Sequence, residues 1–264
     1  KKTIMEKWED NKKHHEGYWG KLYTYLIKNK LNHKDVSGEW KSLFKYELGN
    51  KNLFSYIVDS KVVTNDFSKY TSDKNLYLKK RLDKHITKDT DAVIDLGSGW
   101  GRHSIHIASS KPSYKIISGE LSDSGRRVTE YFTNKYGLDI ETFQFNWKDN
   151  KSFIKLLSTK KYKEIVIFTS NTIEQIDYID VAFFQDLLDL PIEKIKVIHI
   201  EPVKFQYDGL PFPLNNHYNR NLKAVLDTLV SMGRIKIGDI IPQYWGHNNS
   251  LTSKNNILIE WEKL

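Results

Sequence analysis

The residues best suited to chemistry lie in one short stretch, Val93-Ile94-Asp95-Leu96-Gly97-Ser98-Gly99-Trp100-Gly101-Arg102. An apolar run ends in an acid, passes through glycines and enters a helix-compatible segment. A strand that breaks into glycines before a helix brings backbone N–H groups up to a ligand at a sheet's carboxyl edge. The spacing is not that of a dinucleotide turn: the third glycine of G-x-G-x-x-G would fall where Arg102 stands. Asp95 also repels a pyrophosphate, whereas it would hold a ligand's ammonium group. About twenty residues on, Ile116-Ile117-Ser118-Gly119 ends in Glu120, placed as the acid that accepts hydrogen bonds from ribose hydroxyls. A ligand with an adenosyl group and an ammonium answers both acids, and S-adenosylmethionine is such a ligand.

Further groups could move a proton. His199 and Glu201, in His199-Ile200-Glu201-Pro202-Val203, share a strand face by alternation and stand at a strand end with Glu174. A histidine inside a strand is more often a satisfied core residue than a base. His217 and His247 fall in loop-like segments, and His14-His15 beside Glu16 lack a spaced third ligand, so no metal site is expected.

The elements that must position these groups show in the patterning. From about residue 91 onward, apolar runs of strand length recur at Ala92–Leu96, 115–121, 142–145, 164–169 and 195–200. Amphipathic stretches at 101–109, 122–136, 152–158 and 175–188 fall between them, which predicts a parallel sheet covered on both faces. A helix over 218–232 and two β-rich segments, 234–243 and 256–261, complete the chain, and the last two should pair antiparallel. The first ninety residues carry helix-like apolar spacing (Trp19, Leu22, Tyr23, Leu26, Ile27; Leu76, Leu78, Leu82) broken by Asn, Lys and Ser. They read as helices and loops without a core of their own.

The 264 residues suffice for a large domain with an appendage, and 39% hydrophobic residues provide a core. Residues 1–90 hold 20 Lys and Arg against 12 Asp and Glu, while residues 91–264 hold 21 of each. The net +8 is thus confined to the first third, pointing to an anionic partner near that segment or to a solvated lysine-rich face. The chain has no cysteine, which removes disulfides and every thiolate nucleophile. No apolar run reaches membrane-spanning length and no secretory pattern opens the sequence, so a cytoplasmic protein is expected.

Asp95-Leu96-Gly97-Ser98-Gly99-Trp100-Gly101, Glu120 at the second strand end and the closing hairpin together resemble the class I S-adenosylmethionine-dependent methyltransferases. The resemblance spans about residues 88–264. It implies a Rossmann-like, seven-stranded, mostly parallel sheet with an antiparallel C-terminal hairpin over 89–264, and an N-terminal helical cap over 1–88. The implied cofactor is S-adenosylmethionine, released as S-adenosylhomocysteine. Gly97, Ser98, Gly99 and Gly101 would cradle its methionine end, with Asp95, and Glu120 its ribose, with Leu121 beside it. Asn146 and Trp147, with Asp149 just beyond, would flank the adenine, and Thr169 would lie at the fourth strand end. Ser170-Asn171-Thr172-Ile173-Glu174-Gln175 would face the methyl group, with Glu174, His199 and Glu201 as candidate catalytic residues.

The same loop and the fifth strand resemble a bacterial subset that modifies sugars, surface polysaccharides such as capsule, or secondary metabolites. The expected acceptor is a small anionic or sugar-linked molecule, methylated on oxygen or nitrogen, with Tyr18, Trp19, Tyr23, Asn171, Gln175 and His217 as candidate contacts. The aromatics Tyr18, Trp19 and Tyr23 could instead pack the cap onto the domain. Without cysteine, cytosine-C5 methylation is excluded, and the Asn/Asp-Pro-Pro-aromatic turn of amino-methylating nucleic-acid enzymes is missing after strand four. An RNA substrate, a nicotinamide dehydrogenase and a non-catalytic S-adenosylmethionine-binding protein are the alternatives.

Overall fold

The computed structural model describes residues 4–29, 33–49, 51–58, 61–208, 219–247 and 256–264. In chain order the elements begin with α1 (Ile4–Lys28), α2 (Val36–Glu47), β1 (Leu53–Val58), β2 (Lys61–Asp66) and α3 (Phe67–His85). Alternating units follow: β3 (Ala92–Leu96), α4 (Arg102–Ser110), β4 (Ile116–Glu120), α5 (Asp123–Tyr136), β5 (Ile140–Gln144) and α6 (Lys151–Ser158). Then come β6 (Glu164–Ser170), a 3₁₀ turn (Ile173–Gln175), α7 (Val181–Leu188), β7 (Lys194–Glu201) and α8 (Phe205–Asp208). The chain ends with α9 (Leu222–Ser231), β8 (Ile235–His247) and β9 (Asn256–Lys263).

Two compact units share these elements, Lys1–Lys51 with Gly97–Asn146, and Asn52–Leu96 with Trp147–Leu264. The chain passes directly from one to the other at Leu96–Gly97. The first ninety residues are divided between them, α1 and α2 in the first and β1, β2 and α3 in the second.

In the second unit the strand order is β2-β1-β8-β9-β7-β6-β3. β3 runs parallel to β6 and β6 to β7, while β7–β9, β9–β8, β8–β1 and β1–β2 are antiparallel. All five residues of β3 are buried, as are the first six of β6, matching apolar runs covered on both faces. The hairpin of β1 and β2 corrects the expectation of helices and loops in this region. Its β-branched content (Ile57, Val58, Val62, Val63, Thr64) outweighs the broken helical spacing around it. The hairpin is held by an aromatic cluster in which Tyr56, Tyr70 and Trp245 lie within 5.2–5.9 Å of one another. The Tyr56 hydroxyl donates to Asp73 at 2.6 Å, which ties β1 to α3.

The first unit pairs β4 with β5 in parallel and packs α1 and α2 with α4 and α5. α5 is capped by Ser122, whose hydroxyl accepts from Gly125 N at 3.2 Å, and ends at left-handed Gly137. A second cap arrives from far along the chain. Glu16 of α1 accepts from Asp123 N at 2.5 Å, Ser124 N at 3.0 Å and Ser124 Oγ at 2.7 Å. A carboxylate at a helix N-terminus is stabilised by the free N–H groups and the helix dipole, so α1 is anchored electrostatically to α5. Glu39 of α2 is wholly buried and accepts from Tyr131 at 2.9 Å, from Lys135 at 2.6 Å and from Tyr136.

Candidate functional site

The first unit carries the glycine turn. Gly97, Gly99 and Gly101 have φ of 79°, 60° and 76°, which L-residues with a Cβ adopt only at a cost. Space forbids a side chain as well: a Cβ on Gly101 would lie 2.2 Å from Thr129 Oγ1. The amides of this turn do not wait for a ligand, contrary to expectation. Gly97 N and Ser98 N donate to Gly119 O at 2.8 and 2.9 Å, Gly99 N to Glu120 Oε2 at 3.0 Å, and Gly101 N to Ser98 O at 3.0 Å. Ser98 Oγ accepts from Ser118 Oγ at 2.8 Å.

Glu120 is 6% exposed, and its Oε1 accepts from Ser122 N at 3.0 Å and Ser122 Oγ at 2.8 Å. Burial raises its pKa, opposed by the hydrogen bonds from Ser122 and Gly99. With two acceptor positions per oxygen, Oε1 is filled and Oε2 retains room for one more donor. Leu121 is half-buried, and its carbonyl accepts from Arg126 at 3.0 Å. Asn146 is half-buried near the end of this unit.

The α1 aromatics gather on the turn. Trp19 lies over Gly99, where an added Cβ would meet its Cζ2 at 2.9 Å and its Cε2 at 3.5 Å. Tyr18 packs edge-on against Trp19 at 4.6 Å, and His15 stacks on it at 6.4 Å. Burial and the neighbouring Glu47 raise the pKa of Tyr18, with Arg102 opposing. Trp100, buried beneath, donates from Nε1 to Glu47 at 2.8 Å. Tyr23 is half-buried further along α1.

In the second unit, buried Asp95 sits in register with Phe168 of β6. The carboxyl ends of β6 and β7 hold the other candidates. The indole of Trp261 donates from Nε1 to His199 Nε2 at 3.0 Å, so that nitrogen is the acceptor and the proton resides on Nδ1. His199 Nδ1 lies 2.9 Å from Thr169 Oγ1, and the Thr169 hydroxyl in turn bonds Glu201. Donation therefore runs in one direction, from Trp261 through His199 and Thr169 to the Glu201 carboxyl. His199 is fully buried with both nitrogens engaged, and burial lowers its pKa to about 3. It is a neutral core histidine, which corrects its placement among the catalytic candidates. Thr169 is likewise fully buried and held in this chain.

Glu201, also fully buried, accepts from Thr172 N at 3.1 Å. Burial, then the charge of Glu174, push its pKa up to about 8, against hydrogen bonds from Thr169, Thr172 and Ile173. Burial also pushes Glu174 up to about 7, with Gln175 Nε2 donating to it at 3.2 Å and acting to lower it. The structure thus brings Glu174 and Glu201 into mutual electrostatic range, while His199 reaches Glu201 through Thr169. Gln175 is exposed.

The loop between them is set by Asn171, which has φ of 56°. Asn171 N donates to Ile200 O at 3.2 Å. Its side chain and that of Asn256 form a reciprocal amide pair at 2.9 and 3.3 Å. Asn171 was expected to contact substrate; its amide instead fixes the loop to β9, and Asn256 is the partner that sequence spacing did not reveal. Trp147 donates to Thr172 Oγ1 at 3.2 Å and packs on Phe183 at 5.0 Å.

The helix expected over 175–188 is shorter. The 3₁₀ turn ends at Gln175, and α7 starts after Asp180, whose side chain accepts from Ala182 N at 3.0 Å. Asn219 and Asn221 hold the intervening loop, with Asn221 Nδ2 on Ile179 O at 2.8 Å and Asn219 Nδ2 on Ile176 O at 3.3 Å. His217 lies outside the described residues, as does the side chain of His247. Among the described residues no group of three or more His, Asp or Glu could hold a metal. No described helix is long and apolar enough to cross a membrane.

The alternation of strands and helices with this turn defines a mixed α/β, Rossmann-like fold, the fold of class I S-adenosylmethionine-dependent methyltransferases. An O-methyltransferase from Bacillus cereus in complex with S-adenosylhomocysteine matches at TM-score 0.54 and 13% identity, over 93% of this chain and 98% of its own. A SAM-dependent methyltransferase from Aquifex aeolicus is similar at TM-score 0.47 and 14% identity, over 75% of this chain and 96% of its own. A mutant of MtNAS in complex with S-adenosylmethionine is similar at TM-score 0.48 and 7% identity, over 96% of this chain and 76% of its own. No protein-family model matches the sequence, and no curated protein matches it.

Proposed function

We propose that this chain is an S-adenosylmethionine-dependent methyltransferase acting on oxygen or nitrogen of a small, anionic or sugar-linked acceptor. The observation that carries the reading is the glycine turn closed by Glu120: three left-handed glycines, with the acid of the next strand end bonded to Gly99 N at 3.0 Å. A pyrophosphate there would meet a carboxylate and find the amides of Gly97, Ser98, Gly99 and Gly101 already engaged, which disfavours a nicotinamide dinucleotide. An adenosyl ribose can donate to the remaining acceptor position on Glu120 Oε2, and Asp95 suits an ammonium.

When bound, S-adenosylmethionine supplies a methyl group on an already activated sulfonium. The protein's part is then to position, to exclude water and to take a proton from the acceptor. Glu174 is the proposed base, since its pKa of about 7 leaves it partly ionised and basic near neutral pH. Glu201, protonated at that pH, keeps a second negative charge away from it. Tyr18, Trp19, Tyr23 and Gln175 remain proposed substrate or cofactor contacts, with Asn146 and Trp147 proposed for the adenine.

The biological setting we propose is assembly of a bacterial surface polysaccharide such as capsule, or of a secondary metabolite, in the cytoplasm. It is supported by the likeness of Ser170–Gln175 and His199–Val203 to that subset. Two basic residues of the first third are engaged within the chain, which lessens the case for an RNA partner. Arg81 and Lys84 lie 3.0 and 2.9 Å from Asp239, and Lys84 lies 2.7 Å from buried Glu260.

Incubation with S-[methyl-³H]adenosylmethionine and fractionated bacterial lysate tests the proposal. Label should enter a ribonuclease-resistant glycan or small-molecule fraction, and Glu174→Gln should abolish it. Label found only in RNA would replace the acceptor reading.

A further inference from the structure

A buried donor on α1 has no partner in the turn it covers. Trp19 Nε1 is enclosed and has no hydrogen-bond partner among the described residues. A buried N–H left unpaired is costly, so such a group calls for an acceptor beyond the described residues, and a bound ligand can supply one. Its place is specific. The edge of the indole nearest Gly99 includes Cε2, the carbon bonded to Nε1, at 3.5 Å from where a Gly99 Cβ would be. The turn itself cannot serve an anion through Gly97, Ser98, Gly99 or Gly101, because those amides donate to Gly119 O, Glu120 and Ser98 O. Arg102, the first residue of α4, adds a cation beside the same turn: its Nη1 lies 3.7 Å from Glu47, and its buried Nε has no hydrogen-bond partner among the described residues. Tyr18 packs edge-on to Trp19 and feels both charges of the neighbouring pair, Glu47 first and Arg102 second.

We propose that Trp19 Nε1 is a carboxylate donor for the amino-acid end of the bound cofactor, with Arg102 supplying the positive field. The inference rests on the S-adenosylmethionine reading above and assigns Trp19 to the cofactor, not to the acceptor. It makes α1 part of the cofactor site, held in place by the Glu16 cap on α5. It also accounts for the glycine at 99, since any Cβ would push the indole off the turn.

Calorimetry with two probes tests it: S-adenosylhomocysteine, and S-adenosyl-3-thiopropylamine, which lacks only the carboxylate. Trp19→Phe keeps an aromatic ring and removes the N–H. The variant should bind S-adenosylhomocysteine about tenfold more weakly, as expected for a hydrogen bond to a charged group, and the decarboxylated probe as well as wild type does. Equal losses for both probes, or no loss, overturn the inference while leaving the cofactor reading standing. Failure of the wild-type protein to bind either probe overturns both. A second measurement needs no variant with altered packing. In ¹⁵N-labelled wild-type protein, the Trp19 indole resonance should move downfield with S-adenosylhomocysteine and stay with the decarboxylated probe, and an unmoved resonance contradicts the assignment.

Discussion

Replacing Glu201 with glutamine should make the protein more stable, by an amount that grows with pH. Glu201 is fully buried, and its pKa is raised from the ordinary 4.5 to about 8, chiefly by burial and then by Glu174. Between those values the folded chain binds a proton that the unfolded chain has released. Its favourable contribution is therefore complete below pH 4.5 and is lost as pH rises towards 8. Integrating the proton difference gives a loss of about 3–4 kcal/mol between pH 5 and pH 8 for this single group. A glutamine at this position cannot ionise and retains a carbonyl oxygen to accept from Thr172 N, so the variant escapes that loss. The assay is urea unfolding of both proteins at pH 5, 6, 7 and 8, read as the difference between them so that all other titrations cancel. The glutamine variant should gain steadily on the wild type across the series. Parallel stability curves would refute the buried, protonated carboxyl and with it the separation of roles between Glu201 and Glu174.

Three further outcomes follow from the same geometry. Glu174→Gln should leave S-adenosylhomocysteine affinity unchanged while lowering turnover about 10²–10⁴-fold, and wild-type turnover should rise with pH through about 7, both read by initial-rate kinetics. Gly101→Ala should destabilise by about 2 kcal/mol or more, because of its φ of 76° and the 2.2 Å approach to Thr129 Oγ1; Thr129→Ala should restore part of the loss in thermal melts. Asn256→Ala should cost about 1–3 kcal/mol by leaving the half-buried Asn171 amide and the Ile200 carbonyl short of a donor, measured by denaturant unfolding.

Strands β3 and β6 were legible because mostly apolar runs of five and seven residues, bounded by turn residues, have one common solution when both faces are covered. The glycine turn was legible for a similar local reason: acid, glycines and helix start are contiguous. What escaped was set by partners distant in sequence. Whether His199 serves as base or core residue depends on Trp261, 62 positions away, and on Thr169. Glu16 acts on a helix that begins 107 residues later. The Asn171–Asn256 pair spans 85 residues, and no periodicity marks it. The hairpin of β1 and β2 did leave a signal in its β-branched run, outweighed by the helical spacing on either side. Part of the basic excess also has a partner remote in sequence, because Arg81 and Lys84 answer the acids of β8 and β9.

The central claim, that the glycine turn and Glu120 hold S-adenosylmethionine, is tested most directly by titrating the wild-type protein with S-adenosylmethionine and with NAD in a calorimeter. Saturable binding of S-adenosylmethionine, weakened in both Asp95→Ala and Glu120→Ala, with no heat from NAD, is the predicted result. Binding of NAD alone, or S-adenosylmethionine affinity untouched by Glu120→Ala, would contradict it.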